Sequence, residues 1–185
     1  CSGEETIERL KESSRLTLPE YEKCLEKRFP FTEQEIMNLM SLAGAYFHTD
    51  KEEKAIKIYR KLLECLDMDY IFGENVEHIK GIVMRNLSAA YFSIGKREEA
   101  LELNGICLKR AKKKNNGRDF HVLLGDRAAI ILELVKTGKK DKAEMYEIKK
   151  YLRQSYILAA ARGDHICAQV IENAYKKEFG ETIVI

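Results

Sequence analysis

Proline is nearly absent from this chain. Pro19 and Pro30 are the only two, and both lie near the start. The rest of the sequence has nothing to interrupt a helix, which favours long helices from residue 31 onward. An excess of one charge is also missing: 32 basic and 30 acidic residues leave a net charge of +2. A duplex-binding domain usually carries a clear basic surplus, so the composition does not call for nucleic acid. Cysteine is sparse and scattered. Cys1, Cys24, Cys65, Cys107 and Cys167 form no CxxC pair, and an odd, widely spaced set reads as reduced thiols in a cytoplasmic protein. No stretch has the length and apolarity of a transmembrane helix or the pattern of a signal peptide. Gly-rich phosphate loops, GxSxG elbows and HExxH spacings are all missing, so no enzyme class is indicated and no cofactor is expected.

What is present is helical periodicity. Apolar residues make up 45% and charged residues 34% of the chain, a mix that suits helices with one buried and one solvated face. Residues 4–16 read as a short polar helix. Thr17 followed by Pro19 and Glu20 reads as the start of a second, which Pro30 would end near Phe29. Thr32 with Glu35 forms a capping box for a third. Asp50 with Glu53 opens the next helix, whose apolar face is Ala55, Ile58, Tyr59, Leu62, Leu63 and Leu66. A loop is expected near Gly73 and another at Lys112–Gly117, with breaks at Gly95, Gly138 and Gly163-Asp164. The final helix carries Ile166, Val170, Ile171, Ala174 and Tyr175.

The helices fall into pairs that repeat. Leu42-Ala43-x-x-Tyr46, a turn at Asp50, Ala55 and Tyr59 align with Leu87-Ser88-x-x-Tyr91, a turn at Gly95, Ala100 and Asn104. Ile130-Ile131-x-x-Leu134, a turn at Gly138, Ala143 and Glu147 make a third unit, and the units recur about 45 and 43 residues apart. Small residues at Ala55, Ala100 and Ala143 would let paired helices approach closely, with Tyr46 and Tyr91 filling the gap. The pattern resembles the tetratricopeptide repeat, with a period longer than its usual ~34 residues. The resemblance implies an all-α, tetratricopeptide-like α-solenoid, a right-handed superhelix of antiparallel helix pairs. It divides the single domain 1–185 into N-terminal helices at 1–35, repeats at 36–70, 80–115 and 120–162, and a capping helix at 164–180.

A long last helix, then Tyr156-Ile157-Leu158-Ala159-Ala160-Ala161-Arg162-Gly163-Asp164, then a short capping helix, narrow the resemblance. They look like the end of Gram-positive transcriptional regulators that join a Cro/repressor-type helix-turn-helix domain to a tetratricopeptide sensor domain. That resemblance implies a regulatory signalling module that binds a peptide or protein on its concave face and forms a homodimer. DNA would be reached only through a helix-turn-helix domain absent from this chain. The first residue is Cys, so the chain reads as a piece or a processed form.

In tetratricopeptide arrays the first helix of each pair lines the groove. On this register the resemblance places His48, Arg85, Asn86, Phe92 and Lys136 in a concave ligand site. The Asn86 amide offers both donor and acceptor to a peptide backbone. Arg85 and Lys136 would hold a carboxylate, and Phe47 and Phe92 would supply apolar pockets. The competing reading leaves Asn86 merely solvated and the phenylalanines in the core. The run Lys109-Arg110-x-Lys112-Lys113-Lys114, with Arg118 beyond, could meet DNA phosphates or an acidic partner, but the favoured reading is cations on a helix C-terminus. His48, His78, His121 and His165 show no ligand spacing, and no metal is expected. His165 and Cys167, two apart on one helix, point in different directions and read as structural.

Two other functions remain open. One is a general protein–protein interaction scaffold with no link to DNA. The other is a processed lipoprotein, for which Cys1-Ser2-Gly3 fits the mature start; only a lipidated Cys1 would bring the chain to a membrane.

Overall fold

The computed structural model describes residues 2–27, 31–67, 75–113 and 119–184. Every regular element among them is a helix. The chain divides into two compact units, Cys1–Lys96 and Arg97–Ile185.

In the first unit, α1 (Gly3–Thr17) packs on α3 (Glu33–Phe47), α3 packs on α4 (Glu52–Leu66), and α4 packs on α5 (Val76–Ser93). The single turn α2 (Tyr21–Cys24) lies between α1 and α3 in the chain. Capping boxes start α1 and α3. Ser2 Oγ accepts the Glu5 N–H at 3.2 Å, and the Glu5 carboxylate accepts the Ser2 N–H at 3.0 Å. Thr32 and Glu35 do the same for α3. Ser2-x-x-Glu5 carries the same spacing in sequence as Thr32-x-x-Glu35, although only the second box is among the expectations above. Two expected helix starts differ. Thr17 is the last residue of α1 and its hydroxyl donates to the Ser14 carbonyl, so it caps nothing downstream. The helix after it is one turn long and has no side-chain cap. Asp50 does not cap α4 either; it sits in the left-handed region at φ 55, one residue before the uncapped Lys51. The loop expected at Lys112–Gly117 starts later, because Lys112 and Lys113 still belong to the last helix turn before it; the rest of that loop, the boundary at Phe29 and the loop near Gly73 lie outside the described residues.

The second unit runs α6 (Arg97–Lys113), α7 (Phe120–Lys136), a 3-10 turn at Lys142–Glu144, α8 (Met145–Ala161) and α9 (His165–Phe179). Each long helix packs on the next. Asp141 caps the 3-10 turn by accepting the Ala143 N–H at 2.7 Å. Ala143 is exposed there, so it does not serve the close approach that Ala55 and Ala100, both fully buried, are placed to serve. The aligned positions Tyr59 and Asn104 are both buried. Ile148, Leu152, Ile171 and Tyr175 form the core of this unit, and Ile183 of the tail folds back into it while Val184 stays exposed.

One turn recurs along the chain. After α3, α5, α7 and α8, a residue with positive φ (Asp50, Gly95, Gly138, Gly163) is followed by an N–H that donates to the carbonyl of Tyr46, Tyr91, Leu134 or Ala159. This is a helix C-terminus closed by a left-handed residue, where glycine avoids the clash of a Cβ. Tyr46, Tyr91 and Leu134 are the positions that the repeat alignment places in register, so the repetition of sequence is a repetition of turn geometry. Among the described residues no helix is long and apolar enough to cross a membrane.

Candidate functional site

The five residues expected in a concave site fall into different surroundings. His48 is the exposed cap residue of α3, with its ring edge-on to Phe47 at 5.4 Å. Arg85 and Asn86 lie half-buried on α5. The Asn86 side chain is hydrogen-bonded with the hydroxyl of Tyr59, which burial raises above its ordinary pKa while Asn86 and then the Arg85 charge act to lower it. A Cβ on Gly44 would stand 3.9 Å from that hydroxyl, so α3, α4 and α5 meet at a small polar cluster. Asn86 is therefore committed to Tyr59, and serving a ligand backbone would use only what capacity remains on its amide. Phe92 is half-buried near the end of α5. Lys136 belongs to the other unit, where its ammonium pairs with Glu178 of α9 at 2.7 Å.

The second unit carries a concavity that sequence reasoning misses. A groove of about 750 Å³ lies among α6, α7 and α8. This is within the size usual for small-ligand sites. Its apolar lining comes from Leu108 on α6, Phe120 and Leu124 on α7, and Tyr151, Ile157 and Leu158 on α8. Leu108 and Leu124 are buried, while Ile157 is exposed. Its cations are Lys109, Lys112, Arg127 and Lys150.

These cations are held in different ways. The Arg127 guanidinium lies 5.6 Å from the centre of the Tyr151 ring, and Lys112 Nζ lies 6.0 Å from that of Phe120. Stacking on an aromatic face orients the planar guanidinium and leaves its N–H groups for an anion. Lys150 pairs with Glu147 at 3.4 Å. Among the described residues, no carboxylate lies within ion-pair distance of Lys109, Lys112 or Arg127. Lys112 and Lys113 do occupy the last turn of α6, as the dipole reading expects. Lys109 and Lys112 line the groove as well.

Gly105 contributes room. It sits inside α6, where glycine costs about 1 kcal/mol relative to alanine. A Cβ there would stand 3.6 Å from an Arg127 guanidinium nitrogen, so a larger side chain would intrude on the arginine. Chemically, the groove offers apolar contact flanked by fixed positive charge, which suits a ligand with both an acidic group and apolar side chains.

The signal for this site was divided among three helices. Lys109 and Lys112 are visible in sequence as a charge run, but Arg127, Tyr151 and Ile157 share no motif with them. Comparison with models of known protein families, with curated proteins and with solved structures finds no match to this chain.

Proposed function

We propose that the chain is a peptide- or protein-sensing regulatory module, a tetratricopeptide-like helical array that binds an acidic, partly apolar peptide segment in the groove of its second unit. The observation that carries this reading is the groove itself: an apolar lining beside Arg127, which lies over the Tyr151 ring and has no carboxylate partner among the described residues. An extended or helical segment would set apolar side chains against Leu108, Leu124 and Ile157. Its carboxylate would meet Arg127 with charge-assisted hydrogen bonds. Lys109 and Lys112 would steer the acidic segment toward the site.

The recurring helix-closing turn supports the repeat-array reading, because it places equivalent residues at equivalent points of successive helices. The resemblance to sensor domains of Gram-positive repressor-type regulators extends the proposal: binding would bias the array toward one arrangement and pass that bias to a DNA-binding domain outside this chain. A ligand does this only if it binds the two arrangements unequally. Homodimer formation belongs to the same proposal. Ile166 and Val170, one turn apart on α9, are 82% and 63% exposed and offer an apolar patch to a second copy.

The test is selection of peptides from a random displayed library on the full chain. The expected outcome is enrichment of sequences that combine Asp or Glu with apolar residues. Their affinity should fall about tenfold or more, equivalent to about 1.4 kcal/mol, in Arg127→Glu and in Gly105→Leu. Selected peptides that bind both variants as tightly as the parent would overturn the proposal.

A further inference from the structure

Two helices that the sequence separates widely bring a histidine, a carboxylate and a thiol together. Gly163, at φ 73, ends α8 and turns the chain, so that Asp164 caps α9. Oδ1 of Asp164 accepts the Cys167 N–H at 3.0 Å, and this leaves Oδ2 facing Nε2 of His121 at 3.0 Å. Cys167 follows in the first turn of α9, and one ligand atom from each of the three residues lies within 4.8 Å of the others.

The histidine side is held firmly. His121 is in the first turn of α7 and is 5% exposed. Its carbonyl accepts the Ser155 hydroxyl of α8 at 2.5 Å, which fixes the backbone that carries the ring. Its Nδ1 is buried with no hydrogen-bond partner. A buried histidine that served packing alone would be expected to satisfy both nitrogens. Among the described residues, its side chain makes one polar contact, and that one faces the cluster. Asp164 and Cys167 are part-exposed, so an ion can reach them from solvent. The Asp164 carboxylate, with Asp126 of α7 near enough to act on the thiol by its charge, makes the surroundings favourable to a cation.

We propose that His121, Asp164 and Cys167 form a binding site for one divalent cation of the zinc class. An imidazole nitrogen, a carboxylate oxygen and the thiolate would be its three protein ligands, with water in the fourth position. Mixed nitrogen, sulfur and oxygen donors suit Zn²⁺, whereas Mg²⁺ and Ca²⁺ prefer oxygen alone. At ordinary zinc–ligand bond lengths the donor atoms of a tetrahedral site stand about 3.5 Å apart, so closing round the ion requires a contraction of roughly an ångström. Binding exchanges the thiol proton for the metal. The sulfur lone pair goes to Zn²⁺, the proton goes to solvent, and no electrons are transferred. The ion would fasten α9 to α7. This inference does not rest on the peptide groove.

The experiment titrates the full chain, freed of metal by a chelator, with Zn²⁺ against a chromophoric competitor and separately with Co²⁺. One ion per chain is expected, with a thiolate-to-cobalt charge-transfer band in the near ultraviolet and a rise in melting temperature. Cys167→Ser should abolish the band, and both it and Asp164→Asn should weaken Zn²⁺ binding by about tenfold or more. These positions are part-exposed, and asparagine keeps the helix cap, so both variants are expected to fold; far-ultraviolet circular dichroism checks this. Cys24→Ser should leave metal binding unchanged. Failure of Zn²⁺ to saturate at one site, or binding by folded Cys167→Ser and Asp164→Asn equal to that of the parent, overturns the assignment.

Discussion

At the scale of single residues, Tyr59 shows how a position can be read correctly for packing and incompletely for polarity. Its recurrence with Asn104 in the repeat alignment marks a buried position, and both residues are buried. The bond between the Tyr59 hydroxyl and Asn86 was not legible, because it depends on the register of α4 against α5. The hydroxyl gives a test. Burial raises its pKa, so the folded protein holds this proton more tightly than the unfolded chain does. That contribution is present in full below the unfolded value of about 10 and is lost as pH rises through the folded value. Tyr59→Phe should lower stability at neutral pH by about 0.5–1.5 kcal/mol through loss of the hydrogen bond. It should also reduce the alkaline loss of stability, measured as melting temperature against pH. An unchanged alkaline profile in the variant would contradict this assignment.

At the scale of elements, local signals were legible and long-range ones were not. Thr32 and Glu35 lie three residues apart, so their capping box can be seen in the sequence and forms as expected. Gly95, Gly138 and Gly163 were legible as breaks for the same reason: the left-handed turn that each supplies needs only one residue of the right kind. Ala143 was misplaced because the alignment carried the spacing of the first two units into the third, where Asp141 caps a separate 3-10 turn. The groove and the His121–Asp164–Cys167 cluster were hidden, since each is assembled from residues on different helices that share no motif.

The turns make predictions of opposite sign. Gly138→Ala meets no neighbouring atom but must adopt φ 73, so it should destabilise by about 1–2 kcal/mol. Asp50→Gly relieves a side chain at φ 55 and should be neutral or stabilising by up to about 1 kcal/mol, because freedom gained in the unfolded chain offsets part of the relief. Thr32→Ala should cost about 1 kcal/mol. Chemical denaturation of the three variants checks all of these, and a destabilising Asp50→Gly would show that the aspartate carries an interaction worth more than its strain.

At the scale of the whole molecule, the all-helical class was readable from the near-absence of proline and from apolar periodicity, and the described residues are helical throughout their regular elements. The repeat alignment also anticipated where successive helices close. It did not anticipate that the chain divides at Lys96 into two compact units, nor that the groove would lie within the second. The homodimer in the proposed function has its own consequence. Val170→Lys places a charge on the exposed face of α9 without touching the core, so sedimentation should show a shift from dimer to monomer with the melting curve little changed. A parent protein that sediments as a monomer at all concentrations would remove dimerisation from the account.

The most direct test of the central claim is a map of where a selected acidic peptide binds, read from backbone amide chemical shifts as the peptide is added. The account predicts shifts concentrated on Gly105, Leu108, Arg127, Tyr151 and Ile157, which line the groove, with His48 and Asn86 unaffected. Shifts centred on His48, Arg85, Asn86 and Phe92, with the groove silent, would contradict it and return the binding site to the concave face expected from sequence.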